Sequence, residues 1–147
     1  MSLWQNLRMR LDHAAYPCRD PETTHRFYSG LLGLQLVNAF AGEDLMLIYE
    51  LPEGGSLVFT ATRNAQPEVN SEADWENRHL GLTVSSRAEL DAWGKRLEDC
   101  GIEYRWVDDE RIYFSDPDEL VLELEVRSPL TADPTASDKM QRWLSRK

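Results

Sequence analysis

The run Asn77-Arg78-His79-Leu80-Gly81-Leu82-Thr83-Val84 leads into a helix-like stretch, Ser86 to Cys100, that stops at Gly101. The same order of signals occurs once before. Leu11-Asp12-His13-Ala14-Ala15 leads into Pro21 to Leu32, closed by Gly33. Three strand-like runs follow each helix: Leu34 to Phe40, Asp44 to Leu51 and Ser56 to Thr62, then Ile102 to Val107, Arg111 to Phe114 and Glu119 to Val126. Gly42, Pro52-Glu53-Gly54-Gly55, Asp108-Asp109-Glu110 and Asp116-Pro117-Asp118 supply the turns between them. Each half therefore reads strand, helix, strand, strand, strand. The expected fold is α+β, built from two tandem βαβββ modules within one domain, 1–147. Module one spans about 11–62, a polar connector 63–76, module two about 77–126 and a tail 127–147.

Period-2 alternation says which side chains share a face. Leu80, Leu82 and Val84 fall on one side of their strand, with His79, Gly81 and Thr83 on the other. Leu120, Leu122, Leu124 and Val126 make a greasy face opposite Val121, Glu123 and Glu125. Helices are the available cover for the greasy faces. His79 and Glu123 are thus expected together on the uncovered, concave side.

The helices are well punctuated. Asp20 suits an N-cap and Pro21 the first helical position. Thr24, Phe27 and Leu31 recur at helical spacing before Gly33. Ser86-Arg87-Ala88-Glu89 is a capping-box pattern, and Leu90, Trp93, Leu97 and Cys100 form the stripe expected to face the core. Ser137 to Lys147 reads as a terminal helix with Trp143 as its anchor.

Composition bounds the function. Hydrophobic content of 41% and five tryptophans argue for a packed domain rather than disorder. Against 16 basic residues stand 26 acidic ones, a net charge of −10, which disfavours nucleic-acid backbones and anionic membrane surfaces. No apolar run approaches the roughly 18 residues of a membrane span. Cys18 and Cys100 lack metal-type spacing and suit a reducing cytoplasm as small packed fillers.

Two histidines at matching places in a repeat, with a carboxylate inside a hydrophobic strand, make a candidate metal site. Burying an unpaired charge is costly, so Glu123 among Leu and Val calls for a partner. Imidazole and carboxylate suit a divalent first-row ion, and two histidines with one glutamate leave positions open for substrate or dioxygen. A structural zinc site would instead want four protein ligands, usually with cysteine.

Several further motifs carry a family resemblance. They are Leu11-Asp12-His13, Arg19-Asp20-Pro21, Arg26-Phe27-Tyr28 with Leu31-Leu32-Gly33-Leu34, His79-Leu80-Gly81-Leu82, and Tyr113-Phe114-Ser115-Asp116-Pro117-Asp118 with Leu122-Glu123-Leu124. In order and spacing the chain resembles the glyoxalase, bleomycin-resistance and extradiol-dioxygenase superfamily, the vicinal oxygen chelate proteins, over about Leu11 to Val126. The resemblance implies curved sheets enclosing a metal-binding cavity and a divalent ion (Fe, Mn, Ni, Co or Zn) on His13, His79 and Glu123. It also implies a homodimer, with the cavity built either across the two chains, His13 from one and His79 with Glu123 from the other, or within a single chain.

Departures narrow the activity. Thr60 stands where glyoxalase I has a fourth, glutamate ligand and the epimerase relatives a glutamine. Ala15 replaces the threonine of the fosfomycin-resistance enzymes, and their lysine before the tyrosine is missing from Ile102 to Glu110. Tyr113, ten residues before Glu123, resembles a tyrosine of the extradiol dioxygenases and the fosfomycin-resistance enzymes, the members with three protein ligands. Arg111 shares its strand parity, so both are candidate catalytic groups for an oxygen-rich substrate. His25, the one spare histidine, is expected as an exposed helix residue rather than an acid–base catalyst. The expected function is a small-molecule metalloenzyme, dioxygenase-type ahead of lyase-type. Its alternative is a binder of hydrophobic or planar compounds, with Trp75, Trp106, Tyr49 and Phe59 as candidate aromatic walls, though core packing is the expected role of most of them.

Overall fold

The computed structural model describes residues 8–62, 75–128 and 130–146. Module one comprises β1 (His13–Cys18), α1 (Pro21–His25), β2 (Gln35–Ala41), β3 (Leu45–Glu50) and β4 (Ser56–Ala61). Module two comprises β5 (Leu80–Val84), α2 (Arg87–Asp99), β6 (Tyr104–Asp108), β7 (Arg111–Ser115) and β8 (Val121–Val126), followed by α3 (Ala136–Leu144). Both βαβββ modules read from the repeat are present. Of the connector, 63–74 lies outside the described residues. Among the described residues no helix is long and apolar enough to cross a membrane.

Each module forms a four-stranded mixed sheet, ordered β1-β4-β3-β2 and β5-β8-β7-β6. The first strand pairs in parallel with the last, and the other pairings are antiparallel. This order puts β8, with Glu123, in the interior of its sheet. It leaves β1 and β5, the strands at the two candidate histidines, at sheet edges.

Local signals set the helix ends. The Asp20 carboxylate accepts from the Glu22 amide, and Pro21 follows in the first turn. The spacing predicts an α-helix to Leu32, but the chain widens after His25 into a π-helical turn, Arg26–Leu31. Thr24, Phe27 and Leu31 face inward as predicted, joined by Tyr28. Helix ends leave carbonyls without intrahelical partners. Here Arg96 of α2 reaches across, donating to the Leu31 carbonyl at 2.7 Å and the Gly30 carbonyl at 3.1 Å.

The start of α2 is a capping box shifted by one residue. The Glu89 amide donates to the Ser86 hydroxyl at 3.1 Å, while the Glu89 carboxylate accepts from the Ser85 amide, not that of Ser86. Leu90 and Leu97 are fully buried, with Gly94 between them. A Cβ at Gly94 would come within 3.1 Å of the Tyr104 hydroxyl, so the missing side chain lets Tyr104 lie against the helix. Cys100 is exposed rather than part of the stripe, because α2 ends at Asp99 and the chain turns away at Gly101 (φ +72°). Cys18 is buried, as expected. Trp143 remains 56% exposed and α3 buries no residue, so Trp143 is not the anchor predicted for the tail.

One core packs the helical sides of both sheets. It joins Tyr49, Leu57 and Phe59 of module one to Ile112, Phe114 and Leu122 of module two, with Tyr28, Leu90 and Leu97 from the helices. Polar ties cross it: the Tyr28 hydroxyl donates to the buried Asp116 carboxylate at 2.7 Å, and the Arg19 amide donates to Asp118 at 3.2 Å. Burial pushes the Asp116 carboxyl above its ordinary range despite the donors Tyr28, Leu120 and Asp118. Because the core lies on the helical sides, the other face of each sheet is turned away from it.

Candidate metal centre

On the uncovered face of the second sheet, register assembles the expected residues. Glu123 pairs with Gly81 of β5 on one side and Tyr113 of β7 on the other, and Arg111 pairs with Glu125. Paired residues project to the same side of a sheet. Glu123, Tyr113 and Arg111 therefore share the face predicted from parity. His79 immediately precedes β5, and its Nε2 lies 2.9 Å from Glu123 Oε2.

The other nitrogen of His79 settles what that contact means. Its Nδ1 lies 2.8 Å from the Trp75 carbonyl, which can only accept, so Nδ1 carries the proton. A neutral ring with Nδ1 protonated presents a lone pair at Nε2. That lone pair would face a carboxylate oxygen, two acceptors at hydrogen-bonding distance. The pair is satisfied only by something positive between or upon them, a proton or a metal ion. Glu123 is buried, at 4% exposure, which raises the cost of leaving its charge unmatched.

Tyr113 closes one side of this pair. Its ring centroid lies 5.2 Å from that of His79. Burial, then the hydrogen bond to and the charge of Glu123, push the Tyr113 phenol up to about 12, so it is a donor at neutral pH. Arg111 is engaged with Asp108, through Nε at 2.9 Å and a terminal nitrogen at 2.6 Å. It still feels the charges of Glu123 and Glu125, after the dominant effect of Asp108, so it borders the site rather than entering it.

His13 lies elsewhere in the chain. It opens β1 at the edge of the first sheet, paired with Ser56, and its side chain is 54% exposed. Among the described residues no three His, Cys, Asp or Glu side chains come together to hold a metal. Within one chain, His79 and Glu123 meet and His13 does not join them. Yet His13 is prepared in the same way. Its Nδ1 lies 2.9 Å from the Asp12 carboxylate, an acceptor, which leaves the lone pair on Nε2. Thr60 pairs with Pro17, two residues along from the Val58–Ala15 pair and four from Ser56–His13, so it stands on the same face as His13.

Sequence reasoning missed three participants. Asp12 is adjacent to His13 and was visible as its natural partner. The Trp75 carbonyl is a backbone group with no sequence signal. Arg105, which stacks on the Trp75 ring, is brought in by strand register alone. His25 is not the exposed helix residue expected, because its Nδ1 lies 3.0 Å from the hydroxyl of buried Tyr49. That contact ties α1 to β3 on the core side, away from His79. Of the four aromatic candidates, Tyr49 and Phe59 are core residues and Trp106 lies under Arg87. Trp75 alone reaches this site, edge-on to Tyr113 with centroids 6.1 Å apart.

The comparison with known families agrees with this fold. The model of the glyoxalase/bleomycin resistance protein/dioxygenase superfamily matches residues 10–124. The chain belongs to that superfamily. A glyoxalase/bleomycin resistance/dioxygenase domain from Frankia sp. EAN1pec superposes with a TM-score of 0.69 at 21% identity, over 83% of this chain and 100% of that one. The fosfomycin resistance protein FosX of Listeria monocytogenes gives 0.66 at 17% identity, over 83% and 94%. TnmS3, an antibiotic-binding protein from Streptomyces sp. CB03234, gives 0.66 at 23% identity, over 82% and 98%. These likenesses are of fold. None of the curated proteins compared with the chain is significantly similar in sequence. Within the superfamily, enzymes and non-catalytic binders share this architecture.

Proposed function

We propose that this superfamily member is a small-molecule metalloenzyme, one domain per chain, whose divalent ion is held by His79 and Glu123 of one chain and His13 of a second. The contact between Nε2 of His79 and the Glu123 carboxylate carries the reading, since two facing acceptors are satisfied by a metal ion as well as by a proton. The donor set of two imidazoles and one carboxylate suits Fe, Mn, Ni, Co or Zn. A homodimer is part of the reading because His13 lies on a separate sheet whose corresponding face is also turned from the core. Apposing those two faces across a dimer would enclose a cavity.

When bound, the ion supplies Lewis acidity toward vicinal oxygens of a substrate or, as ferrous iron, redox capacity. The protein's own groups do the rest. Trp75 and Asp12 keep the histidine protons on Nδ1 and so present Nε2. Tyr113, protonated at neutral pH, offers a hydrogen bond beside Glu123 to an oxygen that gains negative charge. Arg111 contributes positive potential at the margin. The open positions favour dioxygenase-type over lyase- or isomerase-type chemistry. Unpaired Cys18 and Cys100 suit a reducing cytoplasm.

Zinc, nickel, cobalt, manganese and anaerobic ferrous titrations of chelator-treated protein test the reading. One ion per chain, lost in both Glu123→Ala and His13→Ala, is the expected result. Stoichiometric binding of a planar hydrophobic compound, unchanged by chelator and by Glu123→Ala, would instead establish a non-catalytic binder.

A further inference from the structure

The turn that carries His79 is tied to the far side of its sheet by one aromatic side chain. Trp75 lies four residues before His79, and its carbonyl accepts the Nδ1 proton. Its indole does not stay near β5. It reaches across β8 and β7, standing edge-on to Tyr113 with an interplanar angle of 88°. It ends with the Arg105 guanidinium carbon 4.8 Å from the ring centroid. Arg105 is on β6, the opposite edge of the sheet from β5. Register explains why it is available: Arg105 pairs with Tyr113, and Tyr113 with Glu123, so one row across the sheet joins the cation, the phenol and the carboxylate.

A carbonyl can orient an imidazole only if the carbonyl is itself held. Residues 75 to 78 form a turn, with no ladder hydrogen bonds to fix them. The indole supplies a restraint from the far side of the sheet, gripped by a cation on one side and by Tyr113 on another. We propose that Arg105 and Trp75 are positioning residues for the metal centre: the guanidinium pins the indole across the sheet, and the pinned turn keeps the Trp75 carbonyl on His79 Nδ1. This rests on the metal reading above and adds to it a determinant of affinity outside the ligand set. Partners that orient ligating histidines typically change metal affinity about 10- to 100-fold when removed. The Arg105–Trp75 pair acts one step further out. Loss of the indole should therefore cost about tenfold or more, and loss of the guanidinium about threefold to tenfold.

The test uses the full chain and zinc as the probe. Zinc affinity is measured by competition with a chromophoric chelator, and the His79 Nδ1–H resonance by ¹⁵N-imidazole NMR of the metal-free protein. The variants are Trp75→Ala, Arg105→Gln and Arg105→Lys. Trp75→Ala is expected to lose the protected Nδ1–H signal and most zinc affinity. Arg105→Gln should weaken both. Arg105→Lys should recover part of the loss, because an ammonium can also sit over an indole. Arg105 is an exposed strand residue, so the two Arg105 variants carry the test if Trp75→Ala does not fold. Wild-type affinity and an intact signal in Arg105→Gln would overturn the proposal, as would equal losses in Arg105→Lys and Arg105→Gln. Should the wild type bind no zinc, the metal reading falls, and the Nδ1–H signal alone decides the positioning role: its loss in the variants supports it and its retention overturns it.

Discussion

His79 and Glu123 meet through two atoms that both accept hydrogen bonds when the imidazole is neutral, 2.9 Å apart, because the Trp75 carbonyl holds the ring's proton on the other nitrogen. The contact joins the strand carrying Glu123 to the residue just ahead of β5. It places a buried carboxylate where only a proton or a cation completes it.

Glu123→Gln should therefore separate metal binding from folding. The amide matches the carboxylate in shape and can donate to the Nε2 lone pair, so the fold has no unsatisfied atom there. Divalent-metal affinity is expected to fall about a hundredfold or more. Isothermal titration alongside thermal unfolding checks both halves. A midpoint collapse with unchanged affinity would refute the assignment.

Mixing chains tests where His13 belongs. His13→Ala and Glu123→Ala proteins should each bind no metal. After denaturation and refolding together, statistical pairing in a twofold dimer makes about one site in four intact. Metal bound per chain reads this directly. No recovery, with heterodimers confirmed by mass, would show that the two modules do not share a site across chains.

Tyr113 should ionise at about pH 12, shifted by burial and by Glu123. In Glu123→Gln the phenol loses the neighbouring negative charge, and its midpoint should move down toward the ordinary tyrosine value of about 10. Ultraviolet titration, with Tyr113→Phe as the subtraction, assigns the transition. An unchanged midpoint would place the phenol away from the carboxylate.

Asp116 predicts a pH dependence of stability. Burial raises its folded-state pKa above the unfolded value of 3.8, so the folded protein holds this proton more tightly. The associated stability is fully present below the unfolded pKa and is lost as pH rises through the folded one. Urea unfolding from pH 3.5 upward should show wild type losing stability relative to Asp116→Asn over that window. Tyr28→Phe, which strips a donor from this buried carboxylate, should destabilise the protein by about 1–3 kcal/mol at neutral pH.

Much of this site was legible from one-dimensional spacing. Parity placed Glu123, Tyr113 and Arg111 on one strand face each, because strand alternation depends only on the chain itself. Arg111 was harder: the same parity that aims it at the site also leaves it three residues from Asp108, and the nearer carboxylate takes its guanidinium. Cys100 followed the helical stripe but fell just beyond the helix end, where periodicity ceases to apply. Trp143 satisfied the pattern of an anchor, but a pattern names only the face of a helix and not the surface that would receive it.

The sequence by itself determined the duplicated βαβββ plan, the helix caps and the polar face on which Glu123 stands, since caps, turns and alternation are local properties of neighbouring residues. Only the tertiary structure decided that His79 reaches Glu123 while His13 does not, and that Trp75 and Arg105 stand around the former. Those outcomes depend on strand register and on which sheet faces bury against a common core. Both are set by contacts between residues far apart in the chain, whose energies no local pattern records.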